Sequence, residues 1–66
     1  MNITVKIEEY CLENGMTIYR FERHCKLANG TVGKWRKKTS YPSLRIIERI
    51  ARSTDTSMTY WIGNGL

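Results

Sequence analysis

The chain has 66 residues, of which 41% are hydrophobic and 26% charged, with a formal net charge of +5. That length holds one domain with a small core, and the balance is ordinary for a globular protein. A basic chain with a pI near 9.6 favours a polyanionic partner, and no run approaches the roughly 20 apolar residues of a membrane span. The charge is uneven. The first fifteen residues carry Glu8, Glu9 and Glu13 against Lys6, whereas residues 31–45 carry Lys34, Arg36, Lys37, Lys38 and Arg45 with no acid.

The spacing predicts a first helix over about residues 3–14, with Asn2 as cap, Ile3, Ile7, Tyr10 and Cys11 as the apolar stripe, and Asn14-Gly15 as the stop. Its three glutamates would repel a phosphate backbone, so it is expected to act as scaffold. A second helix is expected over about 18–25. There Ile18, Phe21 and Cys25 share one face and the hydroxyl of Thr17 caps the start. Tyr19, Arg20, Arg23 and His24 are left exposed. Free N–H groups at such a helix start favour an anion. Arg20 could join Thr17 there or pair with a glutamate of the first helix.

A break of a few residues leads to a third helix, expected over about 29–37, with Ala28, Val32 and Trp35 inward. The short connection forces both stripes into one core, which makes residues 17–37 a helix-turn-helix. With Val32 and Trp35 inward, Gly30, Gly33, Lys34 and Lys37 face outward, flanked by Asn29, Thr31 and Lys38. Two glycines on an exposed helix face cost about 1 kcal/mol each relative to alanine. They make sense where another surface must approach the backbone closely, as a DNA major groove would; the competing reading is a merely solvated basic helix. Lys34 and Lys37 suit guanine O6 and N7, an Asn amide suits adenine N6 and N7, and the Thr31 methyl suits a thymine methyl. Trp35 is expected in the core rather than as a stacking platform.

The following loop, RKKTSY, is basic and hydrogen-bonding, so Arg36, Lys38 and Ser40 are candidates for clamping phosphates. Ser43 caps a fourth helix, about 44–53, with Leu44, Ile47, Ile50 and Ala51 inward and Arg45, Arg49 and Arg52 solvated. Ser57 caps a last helix, 58–62, whose Met58 and Trp61 seal the core. Tyr60, Ile62 and Leu66 are left as apolar groups near the surface and are the candidates for self-association.

Cys11 and Cys25 are expected to be reduced core residues, because no apolar N-terminal run resembles a secretory signal. With His24 they lack a fourth ligand and the usual zinc spacing, so no metal or other cofactor is expected. No nucleophile–base–orienter set can be assembled, which argues against an enzyme.

The run GMTIYRFERHCKLANGTVGKW, followed by YPSLRIIERIA, resembles the helix-turn-helix domain of phage repressor and Cro-type regulators, and within it the small regulators of Gram-positive bacteria and their phages. The resemblance covers about residues 5 to 63 and is most specific in NGTVGKW with PSL and IA at the expected distances. Two positions depart from the pattern. Lys26 stands where the family usually has the turn glycine and must tolerate a left-handed or strained backbone; Thr56 stands where an apolar residue usually precedes the last helix, which implies a looser C-terminal end.

The resemblance implies an all-α, five-helix domain filling residues 1–66, whose third helix enters the major groove of an operator; with neither a signal-like run nor a membrane span, the protein is expected to be cytoplasmic. It implies that Thr17 and Tyr19 bind phosphate as the second helix crosses the backbone, and that Asn29 bonds a base or a neighbouring phosphate. A homodimer formed through the C-terminal end would match two half-sites. The function so implied is a sequence-specific transcriptional regulator, a phage or prophage repressor or Cro-like protein. The alternative is a protein-interaction module that modulates another repressor or acts in a toxin–antitoxin-type complex.

Overall fold

In a computed structural model, described here for residues 3–63, the chain folds into helices α1 (Ile3–Glu13), α2 (Ile18–His24), α3 (Thr31–Arg36), α4 (Leu44–Thr54) and α5 (Met58–Ile62). The described residues contain no strand. One face of each helix meets in a single core. Ile3, Ile7 and Cys11 come from α1, Phe21 from α2, Val32 and Trp35 from α3, Ile47, Ile50 and Ala51 from α4, and Trp61 from α5; Cys25 joins them from the turn after α2. The centre is aromatic. Tyr10, Phe21 and Trp61 meet with ring centroids 5.6–5.9 Å apart, in the tilted and edge-on arrangements that ring quadrupoles favour.

Hydroxyl caps start three helices as the sequence predicts. Thr17, Ser43 and Ser57 accept from the backbone N–H of Arg20, Ile46 and Tyr60 at 3.1, 3.2 and 3.1 Å. The helix ends share a second device. After α1, α2, α3 and α4, the residues Gly15, Lys26, Lys38 and Asp55 take φ of 60°, 61°, 62° and 56°. Each donates back three residues, and the next residue donates back five: Leu27 to Glu22 O at 2.7 Å after α2, and Thr39 to Lys34 O at 3.0 Å after α3. This is the Schellman arrangement, built once on glycine and three times on a residue with a Cβ.

Four expectations need correction. The third helix is shorter than 29–37: it begins at Thr31, because Gly30 sits at φ 87° as its N-cap, and Lys37 closes it. Ala28 is exposed, and Leu27 packs on the core instead, because the left-handed Lys26 redirects the chain just ahead of both. Leu44 opens α4 with 68% of its surface exposed, and Ile46 lies against the core. Thr56 does not loosen the C-terminal end. Its Oγ1 accepts from the indole Nε1–H of the fully buried Trp61 at 2.6 Å and lies 2.8 Å from Thr54 Oγ1.

Candidate nucleic-acid interface

The N-terminal end of α2 is open. Thr17, Tyr19, Arg20, Arg23 and His24 line one shallow depression that runs along the helix from that end to its last turn. The Arg23 guanidinium lies over the Tyr19 ring at 5.8 Å and donates to its hydroxyl at 3.3 Å, so these two exposed side chains hold one another. His24 Nε2 is 2.6 Å from the carbonyl of Ser53, an acceptor, which requires the proton on Nε2 and ties α2 to the end of α4.

The exposed residues at α3 are Asn29 and Gly30 just before it, Lys34 within it and Lys37 at its end, with Thr31 and Gly33 half-exposed. A Cβ built on Gly33 would meet nothing within 4 Å, so nothing inside the chain calls for a glycine in this helix. Gly30 has an internal reason. Its left-handed backbone is strained for any other residue, which removes it from the argument that an outside surface selects it. Thr31 donates its hydroxyl to the carbonyl of Ala28 at 2.6 Å and its N–H to the same carbonyl at 3.1 Å, closing the approach to the helix.

The residue that sequence reasoning missed is Glu22. Only 3% exposed, it sends its carboxylate from α2 to the start of α3, where Oε1 accepts from Gly30 N–H at 3.1 Å and Oε2 from Val32 N–H at 2.8 Å. A signal was present. Glycine at the N-cap has no side chain to cap with, so the orphan donors of α3 need a partner from elsewhere, and Glu22 adjoins the core residue Phe21.

Charge is partly spent within the fold. Among the described residues the salt bridges are Lys6–Glu9, Arg36–Glu8 and Arg52–Glu48. Arg20 is therefore not paired with a glutamate of α1, and Lys34, Lys37 and Lys38 are not in a salt bridge. Arg36, a candidate phosphate contact, donates instead to Glu8 at 2.7 Å. Lys38 is exposed and Ser40 half-exposed in the loop that leaves α3.

The residues expected at a dimer contact are partly used. Tyr60 packs edge-on against Trp61 with centroids 4.9 Å apart, and Lys6 Nζ sits over its ring at 4.8 Å. Ile62 packs against the core, and Leu66 lies outside the described residues. Among the described residues no helix is long and apolar enough to cross a membrane.

Two short helices, a left-handed turn and an uncovered basic second helix are the geometry that a DNA-binding helix-turn-helix requires. The family model for the Cro/C1-type helix-turn-helix DNA-binding domain matches residues 6–59, which includes α2, α3 and the turn between them. No curated protein and no solved structure matches the chain. The match covers most of the sequence, and the chain belongs to the Cro/C1-type helix-turn-helix DNA-binding family.

Proposed function

We propose that the domain is a sequence-specific double-stranded DNA-binding regulator, a repressor or Cro-like protein of phage or prophage type, acting in the cytoplasm. The observation that carries this reading is Gly33: a glycine in a helix, at a position with room for a Cβ, in the middle of the uncovered face of α3. Helix α3 enters the major groove with Asn29, Gly30, Thr31, Gly33, Lys34 and Lys37 toward the bases. Thr17, Tyr19, Arg20, Lys38 and Ser40 bind phosphates on either side, which positions the domain without reading sequence. Arg36 is left out of that set because Glu8 already holds it. Two copies joined near Tyr60 and Ile62 would read a two-fold operator.

The test is a titration of the pure protein against the DNA upstream of its own gene and against a scrambled duplex, at two salt concentrations. A preference of about a hundredfold or more at moderate salt is expected, a threshold set below the usual gap of roughly 10³–10⁷ between specific and non-specific binding. Equal, steeply salt-dependent binding to both would overturn the reading. A second reading, a module that binds another regulator, draws on Leu12, which is 84% exposed on the acidic helix α1. Co-purification of a partner with weak DNA binding by the domain alone would favour it.

A further inference from the structure

We propose that Glu22 is a positioning residue that sets the pose of residues 29–31 on DNA, and through it sequence discrimination; this rests on the DNA-binding reading above. Residues 28–30, just ahead of α3, have little else to fix them among the described residues, because the ties from Arg49 and the core stop at Lys26 and Leu27. Gly30 supplies no side chain, and the other bonds in the approach run only from Thr31 to Ala28. Glu22 spans the gap with both oxygens. They take the N–H groups on either side of Thr31, at 3.1 and 2.8 Å, and so fix how the first turn of α3 is rotated relative to α2. The anchor is itself held, because the Glu22 carbonyl accepts from Leu27 N–H at 2.7 Å within the turn.

The carboxylate has a second consequence. It occupies two of the free N–H groups at the start of α3 and places a negative charge there, where a bare helix end would attract phosphate. Thus α3 offers the groove its side chains rather than an anion site. Loss of Glu22 is expected to act in opposite directions on the two kinds of binding. Discrimination falls because residues 29–31 lose their fixed orientation, and non-specific affinity holds or rises because a negative charge near the DNA is gone.

The experiment compares wild type with Glu22→Gln and with Ser43→Ala, which removes the cap of α4 and serves as the destabilised control. A glutamine offers one carbonyl oxygen and an NH2 group to two donors, so one N–H loses its partner. Each protein is titrated against its own upstream DNA and a scrambled duplex, well below its unfolding temperature. Amide hydrogen exchange at Gly30 and Val32 is followed in the free protein. Glu22→Gln is expected to lose tenfold or more of the preference, to bind scrambled DNA as well as wild type or better, and to exchange faster at Gly30 or Val32; Ser43→Ala keeps the preference. The inference is overturned if Glu22→Gln keeps the preference within twofold, if its affinities for both duplexes fall by one factor, or if Ser43→Ala loses as much. A wild type without preference would instead overturn the DNA-binding reading and the pose with it, while the exchange data still decide whether the clamp holds α3. Should Glu22→Gln not fold, Glu22→Asp, one methylene short with the charge kept, is expected to lose preference without gaining non-specific affinity.

Discussion

Arg36 Nη2 donates to Glu8 Oε2 at 2.7 Å, joining the last turn of α3 to the acidic helix α1. Helix α3 is thus held at both ends by carboxylates from other helices, Glu22 at its start and Glu8 at its end. The acidic helix that would repel DNA serves to steady the helix proposed to enter it. Both partners of the Arg36–Glu8 pair are about half-exposed, so the pair contributes at most about 1 kcal/mol to stability. Its larger effect is to compensate one positive charge at the interface. Arg36→Ala is expected to leave the salt dependence of DNA binding nearly unchanged. Lys38→Ala, which removes a cation in no salt bridge, is expected to reduce the log–log salt slope by about 0.9. Titrations of both variants across salt concentrations check this; a similar loss of slope in each would show that Arg36 leaves Glu8 on binding.

Gly33 inside α3 and Gly30 at its N-cap predict opposite effects. Gly33 lies inside the helix with nothing within 4 Å of a Cβ, so Gly33→Ala is expected to stabilise by about 1 kcal/mol. That raises Tm by roughly 4–8 °C for a domain of this size. It should weaken binding to upstream DNA at the same time, because the methyl would stand in the proposed contact with the groove. Gly30→Ala is expected to lower Tm, since its φ of 87° strains any L residue. Thermal unfolding and titration of both variants separate the roles; a stabilised Gly33→Ala with unchanged binding would remove the close approach.

Three helix ends place a side chain in the left-handed region, and Lys26 pays most plainly, having neither the short polar side chain of Asp55 nor the proposed DNA contact of Lys38. Lys26→Gly relieves that strain but adds freedom to the unfolded chain, for a net gain of about 0.5–1 kcal/mol. A rise in Tm of a few degrees is expected. Because the Lys26 carbonyl also accepts from Arg49 at 3.3 Å, the double variant with Arg49→Ala tests whether that bond contributes.

What local spacing could express was readable in the sequence. The stripes Ile3–Ile7–Cys11 and Ile47–Ile50–Ala51 are core faces, and the hydroxyls of Thr17, Ser43 and Ser57 begin the helices they precede. The left-handed turn at Lys26 was also expected, from the resemblance. The start of α3 was not, because periodicity assumes helical φ through Gly30, and the carboxylate that organises this end comes from eight residues earlier. Arg36 looked like any loop arginine, since its partner Glu8 is 28 positions away and no local pattern marks the pair. Thr56 was read only as a departure from the apolar residue usual there in the family. Its use appears only once Trp61 is folded back over it.

That contact makes a prediction of its own. Trp61 is fully buried, and its indole N–H has Thr56 Oγ1 as acceptor at 2.6 Å. Thr56→Val keeps the shape, removes the acceptor and leaves a buried donor without a partner, at a cost of about 1–3 kcal/mol. Thr56→Ser retains the hydroxyl and should recover most of the loss. Chemical denaturation of the three proteins checks the order; a Thr56→Val protein as stable as wild type would show that the indole finds another acceptor.

The thiols set an alkaline limit. Burial pushes the Cys25 thiol up to about 11, against a hydrogen bond from Ser53 that pulls it down, with the neighbouring Cys11 adding to the rise. Cys11 and Tyr10 are raised in the same direction, chiefly by burial. A raised folded-state value means that the native protein holds its proton where the unfolded chain has released it. Below the ordinary thiol range both states are protonated, and the group has no effect on the balance. As pH climbs from about 9 toward 11 the unfolded state gains by ionising, and stability falls, by roughly 2–3 kcal/mol at the upper end for Cys25 alone. Other groups titrate in this window, so the measurement is a comparison. Unfolding free energies of wild type and Cys25→Ala are followed from pH 7 to 11. The substitution opens a small cavity and lowers stability at pH 7, but the alkaline fall should be shallower, so that the two curves converge. Parallel curves would mean that Cys25 ionises as freely in the folded protein as in the unfolded chain.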